Sequence, residues 1–253
     1  MTDLAVLAVG FGVIPLAAIL LYALLGLVMQ HREASWGFLA GVLAFLGVSH
    51  AMAAVLVHHS LFDDPVVATA VSFAGLAAGA GIAWLLLLGP FIRTEPHRML
   101  AATTAFLGLH SLADGLVLGT AFISGVVPTM RIDAVTVSAT VVHRFLEGCM
   151  LVIPAIWASW KPRQAFAALL VSLASIPAAY VPVWMLNAYG ISPFQAEFQL
   201  AVPTFVNAME ASLGLLLLVR AFLPMAVADR GTRWPVWTAV GFIAISLVHF
   251  FVE

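Results

Sequence analysis

Long apolar runs separated by short polar segments are the main pattern along this chain. Residues 4–30 contain no Asp, Glu, Lys or Arg, and neither do residues 65–92. A helix needs about 20 apolar residues to cross the hydrocarbon of a bilayer, so each run is long enough. Turn residues and charges divide the chain into eight such spans, at about 4–30, 35–60, 65–92, 99–125, 134–159, 165–189, 198–220 and 234–252. The pattern predicts an all-α membrane protein of eight transmembrane helices, in a single domain covering residues 1–253.

The composition supports a multi-pass membrane protein. Apolar residue types make up 63% of the chain and charged types only 9%, whereas about a quarter of a soluble domain is charged. The first run is too long for a cleavable signal and lacks a basic segment before it. The single cysteine, Cys149, excludes a disulfide within the chain and a CxxC metal site. We predict a protein of the cell membrane (inner or plasma), surrounded by lipid and without a nucleic-acid partner.

Basic residues in the connections indicate the orientation of the spans. If the N-terminus is outside, one basic residue, Arg131, lies in an outer connection, and eight lie in inner connections: Arg32, Arg93, Arg98, Lys161, Arg163, Arg220, Arg230 and Arg233. Basic residues are enriched on the cytoplasmic side of membrane proteins. The distribution predicts that both termini are extracytoplasmic.

Small and aromatic residues suggest how the spans pack. Glycine pairs at GxxxG spacing let helices approach closely in lipid. They occur at Gly37/Gly41, Gly75/Gly79 and Gly115/Gly119. Tryptophans often anchor span ends at the membrane surface. The expected anchors are Trp36, Trp160, Trp234 and Trp237.

A few ionisable side chains lie inside the spans, where a charge costs roughly 2.5–3.5 kcal/mol on insertion scales. In LGLHSLADGLVLG of the fourth span, His110 and Asp114 are four residues apart and share one helical face. In HRFLEG of the fifth span, His143 and Glu147 repeat that spacing. Because the two spans are antiparallel, a rise of 1.5 Å per residue brings both pairs to one level near the midplane.

Two imidazoles and two carboxylates from neighbouring helices are suitable ligands for a divalent metal ion. Two ionised carboxylates would also match its charge and offset the cost of their burial. The alternatives are hydrogen-bonded polar groups that only pack the bundle, or members of a proton relay. By depth, Glu210 and His50 reach a similar level, as ion-path residues or as buried polar groups. Glu210 is also a candidate partner of Arg144 or Asn207.

The two motifs resemble those of the ZIP (Zrt/Irt-like protein) family of divalent metal-ion transporters. HSLADG at 110–115 is similar to the family's HNxx(D/E)G, and HRFLEG at 143–148 is similar to its (H/Q)(N/D/E)xPEG pattern. The resemblance implies a ZIP-like bundle of eight helices, a homodimer, and alternating access in which spans 1, 4, 5 and 6 move against the others. It also implies a primary metal site formed by His110, Asp114, His143 and Glu147.

The chain departs from the family where a second, bridging metal would bind. The corresponding positions are Ser111, a poor ligand, and Arg144, which cannot be a ligand. The sixth span contains no acid either, so we expect one metal site of the family type. A guanidinium at Arg144 would occupy the place of a second cation and pair with the carboxylates.

The sequence therefore predicts a transporter, not an enzyme, that carries Zn²⁺, or Fe²⁺, Mn²⁺ or Cd²⁺, towards the cytoplasm. No catalytic residue and no organic cofactor are predicted. Three alternatives remain: an intramembrane zinc-dependent hydrolase with a base such as Glu210, a proton-coupled exporter of a small solute, and a ZIP-like protein whose transport is altered or lost because of Arg144.

Overall fold

The computed structural model describes residues 30–58, 62–90, 92, 94–124, 134–173, 178, 181–182, 185, 196–228 and 231–252. Within these ranges the chain forms helices joined by short connections, and no strand is present. The all-α class is confirmed. The first predicted span, residues 4–30, lies outside the described residues.

Most of the described residues belong to eight helices. They are α1 (Arg32–Met52), which continues as a π-helical turn (Ala53–His58), α2 (Pro65–Leu87), α3 (Glu95–Ser124), α4 (Ala134–Trp157), α5 (Pro162–Leu173), α6 (Ala196–Leu217), which continues as a second π-helical turn (Leu218–Phe222), α7 (Leu223–Ala228) and α8 (Trp234–Val252). Predicted spans two to seven correspond to α1–α6, and the eighth corresponds to α8.

Three of the described helical segments are long and apolar enough to cross a membrane: Arg32–Leu56, Pro65–Leu87 and Ala201–Ala228. Trp234–Phe250 is a shorter apolar helix. Large apolar side chains on α2 and α8, among them Phe73 and Phe250, are exposed, while His110, Glu147 and Glu210 are buried. An apolar surface around buried ionisable groups is typical of a protein that sits in lipid.

Close helix contacts at glycines hold α1 against α8 and α2 against α6. A Cβ added at Gly41 would overlap the backbone of α8 at Thr238, and one added at Gly79 would overlap the backbone of α6 at Met209. The packing role predicted for Gly37/Gly41 and Gly75/Gly79 is therefore confirmed. In the third pair Gly115 is buried, while the packing of Gly119 lies outside the described residues.

Replacing Gly79 by alanine should destabilise the bundle. Its Cβ would overlap the Met209 carbonyl and the Ser212 hydroxyl, whereas a Cβ at Gly81 on the same helix has nothing within 4 Å. Overpacking costs about 1–3 kcal/mol. We expect Gly79→Ala to lower the melting temperature in detergent by several degrees and Gly81→Ala to leave it within error. Equal melting temperatures for the two variants would contradict this packing.

The contacts also fix the relative directions of the helices. Gly37 of α1 faces Trp234 of α8, and further along α1 Gly41 faces Phe242, so α1 and α8 run parallel. By contrast, α3 and α6 run antiparallel. Phe106 lies against Gly214, and His110 lies against Glu210. These directions agree with a chain that crosses the bundle in alternating directions. The helices α1 and α8 correspond to predicted spans two and eight, which would run the same way. The helices α3 and α6 correspond to spans four and seven, which would run in opposite ways.

Basic residues gather at one end of the bundle, named here the basic end. It contains the starts of α1, α3 and α8 and the ends of α4 and α6, with Arg32, Arg98, Lys161, Arg220 and Arg233. Two aromatic contacts and one hydrogen bond bring these segments together: Trp36–Trp157 (5.8 Å between ring centroids), His97–Trp160 (6.4 Å), and the Arg233 N–H donating to Glu33 Oε1 (2.7 Å).

The anchor role predicted for Trp36 is wrong. Only 2% of the side chain is exposed, and its ring packs edge-on against Trp157 and Phe222. The sequence places Trp36 at a span end, but the rotation of α1 about its axis turns this residue inwards.

Candidate metal centre

His110 on α3 and His143 and Glu147 on α4 meet inside the bundle. Oxygen Oε1 of Glu147 lies 2.9 Å from His110 Nε2 and 2.6 Å from His143 Nε2. The two imidazole rings are stacked, with centroids 5.9 Å apart and planes 7° from parallel. One nitrogen from each ring and one carboxylate oxygen thus lie within 4.8 Å of one another. We call this cluster the first group.

The first group contains three of the four residues predicted from the paired motifs. The fourth, Asp114, lies on α3 one helical turn after His110, but its side chain lies outside the described residues. The i,i+4 spacing explains the geometry on α4, where His143 and Glu147 face the same side. A tetrahedral zinc ion about 2.0 Å from each ligand needs ligand atoms about 3.3 Å apart. The contacts of Glu147 Oε1 at 2.9 and 2.6 Å would have to lengthen by about 0.4 and 0.7 Å to reach that spacing.

Arg144 lies directly beside the first group. Its Nη1 donates to Glu147 Oε2 at 2.7 Å, from the position three residues earlier on α4. The two oxygens of Glu147 thus have separate roles, since Oε1 faces the imidazoles and Oε2 accepts from the guanidinium. The expected pairing of Arg144 with a motif carboxylate is present, whereas the carboxylate of Glu210 contacts histidines.

A second group lies on the opposite edge of the His110 ring. Oxygen Oε2 of Glu210, on α6, lies 3.3 Å from His110 Nδ1 and 3.0 Å from Nε2 of His50 on α1. One ligand atom from each of His50, His110 and Glu210 lies within 4.8 Å of the others. His110 belongs to both groups, because one ring nitrogen faces each carboxylate.

Asn207 fixes the orientation of His50. Its Nδ2 donates to the Pro203 carbonyl at 2.9 Å on α6, which leaves Oδ1 facing His50 Nδ1 at 2.8 Å. A carboxamide oxygen is an acceptor only, so His50 Nδ1 carries a hydrogen and donates it. In a neutral ring, Nε2 then has a lone pair, and this lone pair points at Glu210.

The imidazoles supply too few protons for the carboxylate contacts. Four ring nitrogens of His50, His110 and His143 approach an oxygen of Glu147 or Glu210. Neutral rings offer only two hydrogens there, one from His110 and one from His143, since His50 uses its hydrogen towards Asn207. The remaining contacts place a lone pair against a carboxylate oxygen. Extra positive charge, as protons or as a metal cation, therefore belongs in this cluster.

Both groups are buried in the middle of the bundle. The side chains of Glu210 and Glu147 are 0% and 1% exposed. Trp36 and Trp157 contact each other at the basic end. Counting from this contact, Glu147 lies ten residues from Trp157 and His50 lies fourteen residues from Trp36. At 1.5 Å per residue these are about 15 and 21 Å. Carboxylates without compensating charge at such depth would cost several kcal/mol each.

Two further buried polar residues are neighbours of the first group, Ser111 next to His110 in sequence and His249 next to His143 in space. Ser111 is 1% exposed, and its hydroxyl has no hydrogen-bond partner among the described residues. His249 of α8 is 6% exposed, its ring lies 4.7 Å from that of His143, and its Nδ1 faces the Ile245 carbonyl at 3.3 Å. The place of His249 near the end of the last predicted span suggests a position at the membrane surface, but the structure buries the ring inside the bundle. The sequence signal for a buried position was that this histidine lies fifteen residues into an apolar helix.

The described residues thus define an all-α bundle with apolar helices around a cluster of three histidines, two glutamates and one arginine, of which His50 and Arg144 are partly buried and the others buried. No protein-family model matches the chain, and no curated protein matches it either. The resemblance to the ZIP family therefore depends on the two motifs alone.

Proposed function

We propose that this protein is a transporter of divalent metal cations, with zinc or iron as the best-fitting substrates, and that the first group binds the ion during its passage. The convergence of His110, His143 and Glu147 in mid-bundle carries this proposal. Imidazole nitrogen and carboxylate oxygen suit Zn²⁺ and Fe²⁺ and also accept Mn²⁺. The proton deficit of the cluster supports a positively charged occupant.

The proposed architecture is a ZIP-like bundle of eight spans with both termini outside. The alternating directions of the described helices support it. The basic end would face the cytoplasm, because basic residues are enriched there. The ion would enter from the opposite end, where Asp63 and Asp64 precede α2, and leave towards the basic end. A homodimer remains a prediction from the family resemblance.

Arg144 would weaken ion binding without removing the ligands. Its positive charge lies 2.7 Å from Glu147 Oε2 and repels a cation bound at Oε1. A weak site suits a carrier, which must release its ion. The same guanidinium would compensate Glu147 whenever no ion is bound. We therefore expect tuned transport and not a bundle that has lost transport.

The main competing function is zinc-dependent hydrolysis within the membrane, with Glu210 as the base. Two imidazoles and one carboxylate with an open position would suit it as well. One preparation of the purified protein in liposomes distinguishes the two functions. A carrier moves zinc across a sealed bilayer and leaves the lipid intact, whereas a hydrolase cleaves lipid and moves no zinc.

We expect the wild-type protein in sealed liposomes to take up zinc along its gradient, and His143→Ala to reduce the initial rate at least tenfold. The cause is the loss of one of the three donors of the first group. The control is His97→Ala, which removes an exposed histidine near the start of α3 and should transport like wild type. Absence of zinc, iron and manganese flux through the wild-type protein would contradict the proposal.

A further inference from the structure

We infer that the second group is itself a cation position, at which His50 Nε2, His110 Nδ1 and the Glu210 carboxylate bind the same divalent ion that the first group binds. This inference rests on the proposed function, since both positions would serve the transported ion. It goes beyond the single site expected from the motifs. His50 and Glu210 belong to neither motif, and they reach His110 from α1 and α6.

The His50 ring is oriented as a metal ligand. The hydrogen bond from Nδ1 to Asn207 Oδ1 (2.8 Å) fixes the tautomer and leaves the Nε2 lone pair facing Glu210 Oε2 at 3.0 Å. A metal-bound histidine commonly donates its other N–H to an oxygen in this way. Asn207 would therefore be a positioning residue, held in turn by its bond to the Pro203 carbonyl.

Glu210 has the charge and the free coordination capacity that a cation requires. Its side chain is 0% exposed, and its Oε1 has no hydrogen-bond partner among the described residues. Among the described contacts, its Oε2 faces only imidazole nitrogens, whereas Glu147 is paired with the Arg144 guanidinium. Glu210 thus keeps more negative charge available for an ion than Glu147 does.

Because both positions use the His110 ring, only one of them can hold an ion at a time. An ion in the first position takes the lone pair of His110 Nε2, and the ring hydrogen on Nδ1 then donates to Glu210. In the second position the ion takes the lone pair of Nδ1, and the hydrogen on Nε2 donates to Glu147. The ring carries one hydrogen and is neutral in both states, which are its two tautomers. The change from the first state to the second releases the proton of Nδ1 to solvent and takes one up from solvent at Nε2. Two ions at once would need a ring without either proton, and they would repel each other strongly in the buried interior.

The two positions would then be successive stages of one passage. The first has ligands from α3 and α4, and the second has ligands from α1, α3 and α6. An ion that changes from one nitrogen of His110 to the other leaves α4 and gains α1 and α6 without losing His110.

Zinc content after equilibrium dialysis of the purified protein tests this inference. We expect one zinc per chain for wild type. We also expect one zinc per chain for His143→Ala, which spoils only the first position, and for Glu210→Gln, which spoils only the second. The combination of His143→Ala with Glu210→Gln should bind none. His143→Gln provides a second variant should His143→Ala fail to fold, and Glu95→Gln with His97→Ala controls for loss of an exposed acid and an exposed imidazole.

The flux of the same variants completes the test. Glu210→Gln should keep its bound zinc but transport at least tenfold more slowly, because the ion has no second position to reach. Loss of zinc from both His143 variants, together with wild-type flux in Glu210→Gln, would overturn the second position and leave the proposed function intact. Two zinc ions per wild-type chain would overturn single occupancy. A wild-type protein without zinc binding or flux would overturn the proposed function as well.

Discussion

His110→Ala is expected to abolish zinc flux and to lower zinc affinity about 100-fold or more. Removal of a residue that only orients a ligand typically costs 10–100-fold in affinity, and His110 is proposed as a ligand itself. Its two nitrogens face Glu147 at 2.9 Å and Glu210 at 3.3 Å, so one substitution damages both groups. No other described residue contributes to both. Zinc binding to the purified protein, followed by flux in liposomes, measures the effect.

The expected effect depends on which histidine is removed. His143→Ala should retain bound zinc through the second group, and His97→Ala should resemble wild type because His97 is exposed. Wild-type zinc affinity in His110→Ala, or equal weakening of zinc binding by all three substitutions, would contradict a role of His110 in both groups.

Glu147→Gln is expected to lower the melting temperature by about 6–12 °C. The substitution keeps the size of the side chain but removes the negative charge that the Arg144 guanidinium contacts at 2.7 Å. Breaking a buried ion pair by neutralising one partner costs about 3 kcal/mol or more, because the buried guanidinium loses the negative charge of that carboxylate. For a chain of this size 1 kcal/mol corresponds to about 2–4 °C.

The double variant separates charge from packing. Glu147→Gln combined with Arg144→Gln leaves no buried guanidinium, so it should recover at least half of the lost melting temperature. Glu95→Gln neutralises an exposed acid in the first turn of α3 and should melt like wild type. Thermal unfolding in detergent measures all four proteins. A single variant as stable as wild type, or a double variant less stable than the single one, would contradict this role of Arg144.

Residue spacing along one helix was the reliable part of the sequence signal. The i,i+4 pair His143 and Glu147 faces one side of α4, and depth counting brings His110 to the same level, as the structure has it. The glycine pairs predicted two helix contacts for a similar reason, since spacing within one helix decides which residues share a face. The number of spans and the side that each end faces remain predictions.

Contacts between helices distant in sequence cannot be predicted from residue spacing within one helix. Depth places Glu210 and His50 at the level of His110, but it does not say which helices are neighbours or how each is rotated about its axis. Trp36 and His249 show the same limit, because both lie near span ends by counting and both turn inwards in the bundle. The Asn207 contact with His50 joins residues 157 positions apart, so no local pattern encodes it.

Both proposed positions require a divalent cation bound in mid-bundle at His110. Crystals of the zinc-loaded wild-type protein, with diffraction data collected on both sides of the zinc absorption edge, would locate such an ion. We expect an anomalous peak about 2.0–2.2 Å from a ring nitrogen of His110 and from a carboxylate oxygen of Glu147 or Glu210. Zinc peaks confined to exposed histidines such as His97, with none inside the bundle, would contradict it.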